Sequence, residues 1–166
     1  MKAGSLEEVY KYHMNDLYKY LIQLSGHPQT AEDLLHDTFL KAYENLESYG
    51  GEKVRPWLFR VAYNTYIDWY RKDKHLIKTD PQLLKNLYPN IVASPEQDYL
   101  FKENLLLWSR VVHSLPDKSR QIIILRDYYD FPYQEIADIL NLSLSAVKVR
   151  LLRARQKVRE VMKDEL

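Results

Sequence analysis

The sequence predicts an all-α protein of two small helical domains: an N-terminal helical bundle over 1–74 and a C-terminal helix-turn-helix bundle over 95–166, joined by a linker over 75–94. Three observations predict it. Apolar residues recur at intervals of three and four in nearly every segment, the period of a helix rather than a strand. Pro81, Pro89 and Pro95 cluster where that period weakens. The 166 residues, 46% of them hydrophobic, suffice for one ordinary domain or two small ones with real cores.

Each element has its own signal. Ser5 with Glu8 makes a capping box, and the periodic segment behind it closes at Gly26 and Pro28. Thr30 caps a second helix, "AEDLLHDTFLKAYENL", which the Gly50-Gly51 pair breaks. Pro56 opens a third, "WLFRVAYNTYIDWYRK", from the first-turn position that proline favours. Leu83, Leu84, Leu87, Tyr88 and Ile91 make the linker too apolar for a freely solvated tether. Ser94, Pro95 and Gln97 start a helix that Pro116 ends, and "DKSRQIIILRDYYD", "YQEIADILN" and "LSAVKVRLLRARQKVREVMK" supply three more.

The net charge of +1 conceals a gradient. Eight acids against four bases give Met1 to Gly50 about −4, while seven bases against Glu160 give Leu142 to Lys163 about +6. An acidic front and a basic back imply two partners, a protein and a polyanion. No apolar run of about eighteen residues is present, and "MKAGSLEEVYKYHMND" meets charge too early for a signal peptide, so the expected location is the cytoplasm. Zero cysteines remove thiol catalysis and zinc-thiolate sites. His13, His27, His36, His75 and His113 have no metal-binding spacing, and four glycines make no phosphate-cradling loop. Neither a metal nor another cofactor is expected, nor is catalysis.

The last two helices carry the strongest motif. Ile136, Ala137, Ile139 and Leu140 pack a short first helix, Asn141 takes the tight turn and Ser143 caps the second helix. On that second helix Leu144, Val147, Leu151, Ala154, Val158 and Val161 form one apolar stripe. The opposite face shows Ser145, Lys148, Val149, Leu152, Arg153 and Gln156, flanked by Arg150, Arg155, Lys157 and Arg159. Basic side chains there suit phosphates or base edges, and Val149 and Leu152 suit thymine methyl groups.

Taken with this unit, "AEDLLHDTFLKAYENLESY" followed by "RPWLFRVAYNTYIDWYRK" resembles the extracytoplasmic-function sigma factors of bacterial RNA polymerase. The likeness covers both helical domains. It implies an alternative sigma factor, not an enzyme, whose first domain binds core polymerase and opens the minus-10 element. The second domain would then read the minus-35 element, and an anti-sigma factor is implied as a further partner.

By the same resemblance Asp33, His36 and Asp37 lie on the polymerase-binding helix, with His36 where the family usually carries glutamine. Tyr49, Arg55, Asn64 and Arg71 are the minus-10 candidates, and Ser145, Lys148, Val149, Leu152 and Arg153 the minus-35 candidates. Tyr63 replaces a frequent arginine, so that one phosphate contact is expected to be either missing or replaced by stacking. Trp57, Phe59, Tyr63, Tyr66, Trp69 and Tyr70 cannot all point inward from one buried stripe, which leaves some of them for solvent or a ligand, and exposed aromatics beside basic residues suit unstacked bases. Trp57, Leu58, Val61 and Ala62 are expected to build the bundle. Two other readings remain open on the residues alone: a stand-alone helix-turn-helix regulator, or a helical adaptor that binds no DNA.

Overall fold

A computed structural model describes residues 3–49, 53–73 and 95–165. The linker expected over 75–94 lies outside the described residues. Among the described residues seven α-helices run in order: α1 (Ala3–Ser25), α2 (Pro28–Glu44), α3 (Val54–Asp73), α4 (Pro95–His113), α5 (Asp117–Ile123), α6 (Tyr133–Leu140) and α7 (Leu144–Glu165). A 3-10 turn, Leu46–Ser48, follows α2, and α5 continues as a π-helical segment, Ile124–Tyr128. There is no strand among the described residues. Two compact units result, one in which α1, α2 and α3 pack on one another and one in which α7 packs along α4 and α5.

Helix boundaries depart from the capping signals in three places. α1 already runs from Ala3, which puts Ser5 inside the helix rather than at its cap. α2 opens at Pro28 with His27 as N-cap, not at Thr30, because proline's fixed φ is preset for the first helical residue. It also stops at Glu44, before the glycine pair. Asn45 leaves helical geometry, and its side-chain Nδ2 donates to the Lys41 carbonyl at 2.7 Å. Gly26 does close α1 as expected, with a φ of 77° and its N–H on the Ile22 carbonyl at 2.8 Å.

The first core is built from Leu17, Tyr20, Leu21 and Leu24 of α1, Leu34 and Leu35 of α2, and Trp57, Leu58, Phe59 and Ala62 of α3. Tyr20 and Phe59 meet ring to ring at 4.8 Å. Each large apolar side chain buried here contributes about 1.5–3 kcal/mol. Trp57, Phe59, Tyr63 and Tyr66 are all buried, while Trp69 is half-buried and Tyr70 exposed, so the aromatics left outside the core stand at the C-terminal end of α3. α3 packs on both α1 and α2, so its buried arc spans two interfaces rather than one stripe. Tyr63 is therefore in the core and presents no face for a base to stack on.

In the second unit every residue from Arg120 to Leu125 is buried, so this stretch is enclosed on all sides. The helix then widens: the Tyr129 N–H bonds to the Ile124 carbonyl five residues back at 3.1 Å. Asp130 takes a φ of 59°, and the Phe131 N–H reaches the Leu125 carbonyl at 3.0 Å to close the end. Arg126 seals the turn, donating to the Phe131 carbonyl at 3.0 Å with its guanidinium 4.8 Å above the Tyr133 ring. The fourteen-residue helix read from "DKSRQIIILRDYYD" is thus α5 plus a π segment.

Candidate nucleic-acid interface

The turn between α6 and α7 is set by two residues. Asn141 sits at φ 54° and ψ 52°, a left-handed conformation that asparagine tolerates better than most residues. The Leu142 N–H then folds back onto the Ala137 carbonyl at 2.9 Å, the longer bond of a Schellman closure. Ser143 starts the next helix: its Oγ accepts the Ala146 N–H at 3.1 Å, and its carbonyl accepts the Val147 N–H at 3.1 Å. Ile136, Ala137, Ile139 and Leu140 are all buried, which fixes the approach of α6 to this turn.

α7 buries Val147, Leu151, Ala154 and Val158, while Leu144 and Val161 at the ends of the stripe are exposed. The stripe is buried in the middle and open at its ends, and α4 and α5 both pack on α7. Its opposite face is open to solvent. Ser145, Lys148, Arg153 and Gln156 are exposed there, with Val149 at 45% and Leu152 at 57%. Beside this face is an open cleft of about 570 Å³, lined by Ser119, Ser145, Ala146, Val149, Arg150 and Arg153. Ser119 comes from α5 and was invisible to a reading that treated α7 alone.

Arg155 belongs elsewhere. Its Nε donates to Asp127 Oδ2 at 3.3 Å and its Nη2 to Oδ1, which commits this cation to the π segment. Hydrogen bonding to Asp127 pushes its guanidinium above the ordinary arginine value. Among the described residues no ion pair engages Lys148, Arg150 or Arg153.

In the first unit Asp33, His36 and Asp37 are exposed along one side of α2, and Gln29 Nε2 donates to Asp33 Oδ1 at 3.4 Å. Leu40 and Tyr43 continue that side at 56% and 53% exposure. The sequence reading missed both; an apolar pair at helical spacing after the acids was the available signal. Leu35 is buried, and half-buried Phe39 packs tilted against Tyr10 with ring centroids 4.2 Å apart.

The minus-10 candidates do not converge on one face. Asn64 and Arg71 are exposed and two turns apart on the same side of α3. Arg55 stands about half a turn round the helix from Asn64, 5.5 Å above the Phe59 ring. Tyr49 packs edge-on against Trp57 at 4.9 Å and is only partly exposed. Asp68 is exposed and is held by Lys41 of α2 at 3.3 Å.

These features describe a helical protein with a helix-turn-helix whose second helix presents a free basic and apolar face. Comparison with known proteins makes the class specific. Residues 9–75 match the family Sigma-70 region 2, and residues 105–158 match Sigma-70, region 4. The chain is 37% identical over 155 residues to the extracytoplasmic-function (ECF) RNA polymerase sigma factor SigM of Bacillus subtilis, covering 93% of each chain. It is 35% identical over 168 residues to the sigma factor YlaC of the same organism, covering 95% of this chain and 92% of that one. Among solved structures, the sigma factor RpoE in complex with the anti-sigma factor NepR from Bartonella quintana superposes with a TM-score of 0.71. That match has 25% identity and covers 96% of this chain and 97% of the other. CnrH in complex with the cytosolic domain of CnrY matches in fold, with a TM-score of 0.70 at 21% identity over 99% of this chain and 92% of that one. The chain belongs to the ECF sigma factors of the sigma-70 family. It is an alternative sigma factor, directing promoter-specific initiation of transcription. Among the described residues no helix is long and apolar enough to cross a membrane, and no group of three or more side chains could hold a metal ion.

Proposed function

We propose that this sigma factor divides its work between residues 1–74 and 95–166, with 75–94 as the connection. The first part binds core RNA polymerase through the acidic side of α2, where Asp33, His36 and Asp37 form the polar contact and Leu40 and Tyr43 supply apolar area. Such a mixture of exposed aromatic and apolar groups within a charged rim suits a protein interface. Tyr49, Arg55, Asn64 and Arg71 act on the minus-10 element. Since Arg55 and Asn64 occupy different sides of α3, they touch different parts of the opened strand.

The second part reads the minus-35 duplex with Ser145, Lys148, Val149, Leu152 and Arg153. One observation carries this: α7 is anchored by Asn141 and Ser143 while Lys148, Val149, Leu152 and Arg153 stay exposed on its outer side. An anti-sigma factor that covers the same surfaces holds the protein inactive, a reading supported by the complexes in which similar folds are found. The protein acts in the cytoplasm, is no enzyme and uses no cofactor.

Run-off transcription with purified bacterial core polymerase on a genomic fragment library tests the whole reading. Discrete start sites that appear only with the protein are expected. Arg153→Ala then weakens minus-35 recognition and leaves competition for core enzyme intact, whereas Asp33→Arg does the reverse. An Arg153→Ala protein that lost core affinity and kept its promoters would overturn the assignment of faces.

A further inference from the structure

The cleft beside α7 has a composition that base reading does not explain. Two hydroxyls and two guanidiniums line it with no carboxylate, around the small apolar surface of Ala146 and Val149. Adjacent helical residues stand about 100° apart. When Val149 faces the floor of a major groove roughly 12 Å wide, Arg150 is therefore turned toward the groove wall, where the phosphates lie. Ser119 approaches the same wall from α5. Its position is well fixed, because its neighbours Arg120 and Gln121 are buried and Arg120 is tied to Asp117 at 3.0 Å.

Resting on the minus-35 reading above, we infer that Ser119 and Arg150 together seat one backbone phosphate of the promoter duplex. Ser119 is thus a DNA-contacting residue supplied from outside the helix-turn-helix. Arg150 donates its guanidinium N–H groups to the phosphate oxygens, and the Ser119 hydroxyl donates to the same phosphate from α5. The contact carries no base information. It adds affinity for the backbone from outside the base-reading face.

The test uses the full chain assembled with core polymerase and a labelled duplex containing a minus-35 element found in the run-off assay. Binding is followed by anisotropy between about 50 and 200 mM salt. Arg150→Ala should make the log–log salt slope shallower by about one, with base preference unchanged. Ser119→Ala should weaken binding about tenfold, as loss of a hydrogen bond to a charged group does, while Ser119→Thr retains it. A single methylphosphonate linkage should reproduce both losses at one position, and there alone the two variants should become insensitive. Circular-dichroism melting confirms that each variant is folded.

Steep salt dependence of the unmodified protein with an unaltered slope in Arg150→Ala would overturn the phosphate seat and leave the minus-35 reading standing. Absence of salt-dependent duplex binding by the unmodified protein would overturn both. Saturable binding of inorganic phosphate that Arg150→Ala abolishes, together with an unchanged duplex slope, would assign the cleft to a free anion and likewise overturn the proposal.

Discussion

Arg155 of α7 forks onto Asp127 of the π segment, with Nε and Nη2 on different carboxylate oxygens. The two residues are 28 positions apart, and the pair ties α7 to the turn that precedes α6. Arg155 consequently acts as a strut, although its spacing on α7 had placed it among the DNA-flanking cations. Arg155→Ala is expected to lower promoter affinity without changing the salt slope, and Asp127→Asn to do the same. Since the pair is partly exposed, either change costs about 0–1 kcal/mol of folding stability, measurable by urea titration. A slope shallower by about one in Arg155→Ala would return this residue to the phosphate contacts.

Asn141 occupies left-handed backbone space that most side chains resist. Asn141→Ala should cost about 1–2 kcal/mol, whereas Asn141→Gly should cost much less because glycine has no Cβ to clash. Denaturant midpoints of the two variants distinguish this from loss of a side-chain contact. Equal destabilisation by both would show that the asparagine side chain, not its conformation, matters.

Val149 and Leu152 present exposed apolar surface on an otherwise polar face. Replacing thymine by deoxyuridine at minus-35 positions removes a methyl group and nothing else. Each methyl in contact should be worth about 0.8 kcal/mol, roughly a fourfold loss of affinity. The same replacement should have no effect on a Val149→Ala, Leu152→Ala double variant. Uniform indifference of the unmodified protein to deoxyuridine would remove these two residues from base reading.

His13 titrates below its ordinary 6.5 because burial, helped by the charge of Arg55 and opposed by Asp16, disfavours the imidazolium. Tyr12 lies edge-on to the ring at 4.9 Å. As pH falls through about 6.5, the unfolded chain takes up a proton that the folded chain refuses. The contribution is therefore complete above that pH and is lost as pH falls toward the folded value. His13→Gln, which cannot titrate, should show a smaller drop in Tm between pH 7 and pH 5 than the unmodified protein. Parallel drops would mean that other groups govern the acid limb.

Much of this protein was legible locally. A left-handed turn at Asn141, a cap at Ser143, a closing glycine at position 26 and the buried centre of the α7 stripe all depend on interactions within a few residues. The helical period and side-chain chemistry are enough to place them. Even the misplaced starts of α1 and α2 moved by no more than two or three positions, because competing local signals overlap at helix ends.

What the sequence by itself determined was the set of helices, their apolar faces, the helix-turn-helix and the concentration of positive charge on α7. Tertiary structure alone decided how those groups were used. It buried Tyr63 and Tyr66 because α3 lies against two helices, paired Arg155 with an aspartate 28 residues away, and set Ser119 beside Arg150. Helical periodicity fixes the side of a helix on which a residue stands. Whether that side meets a core, a counter-charge or open solvent depends on contacts between distant segments, and those exist only once the chain has packed.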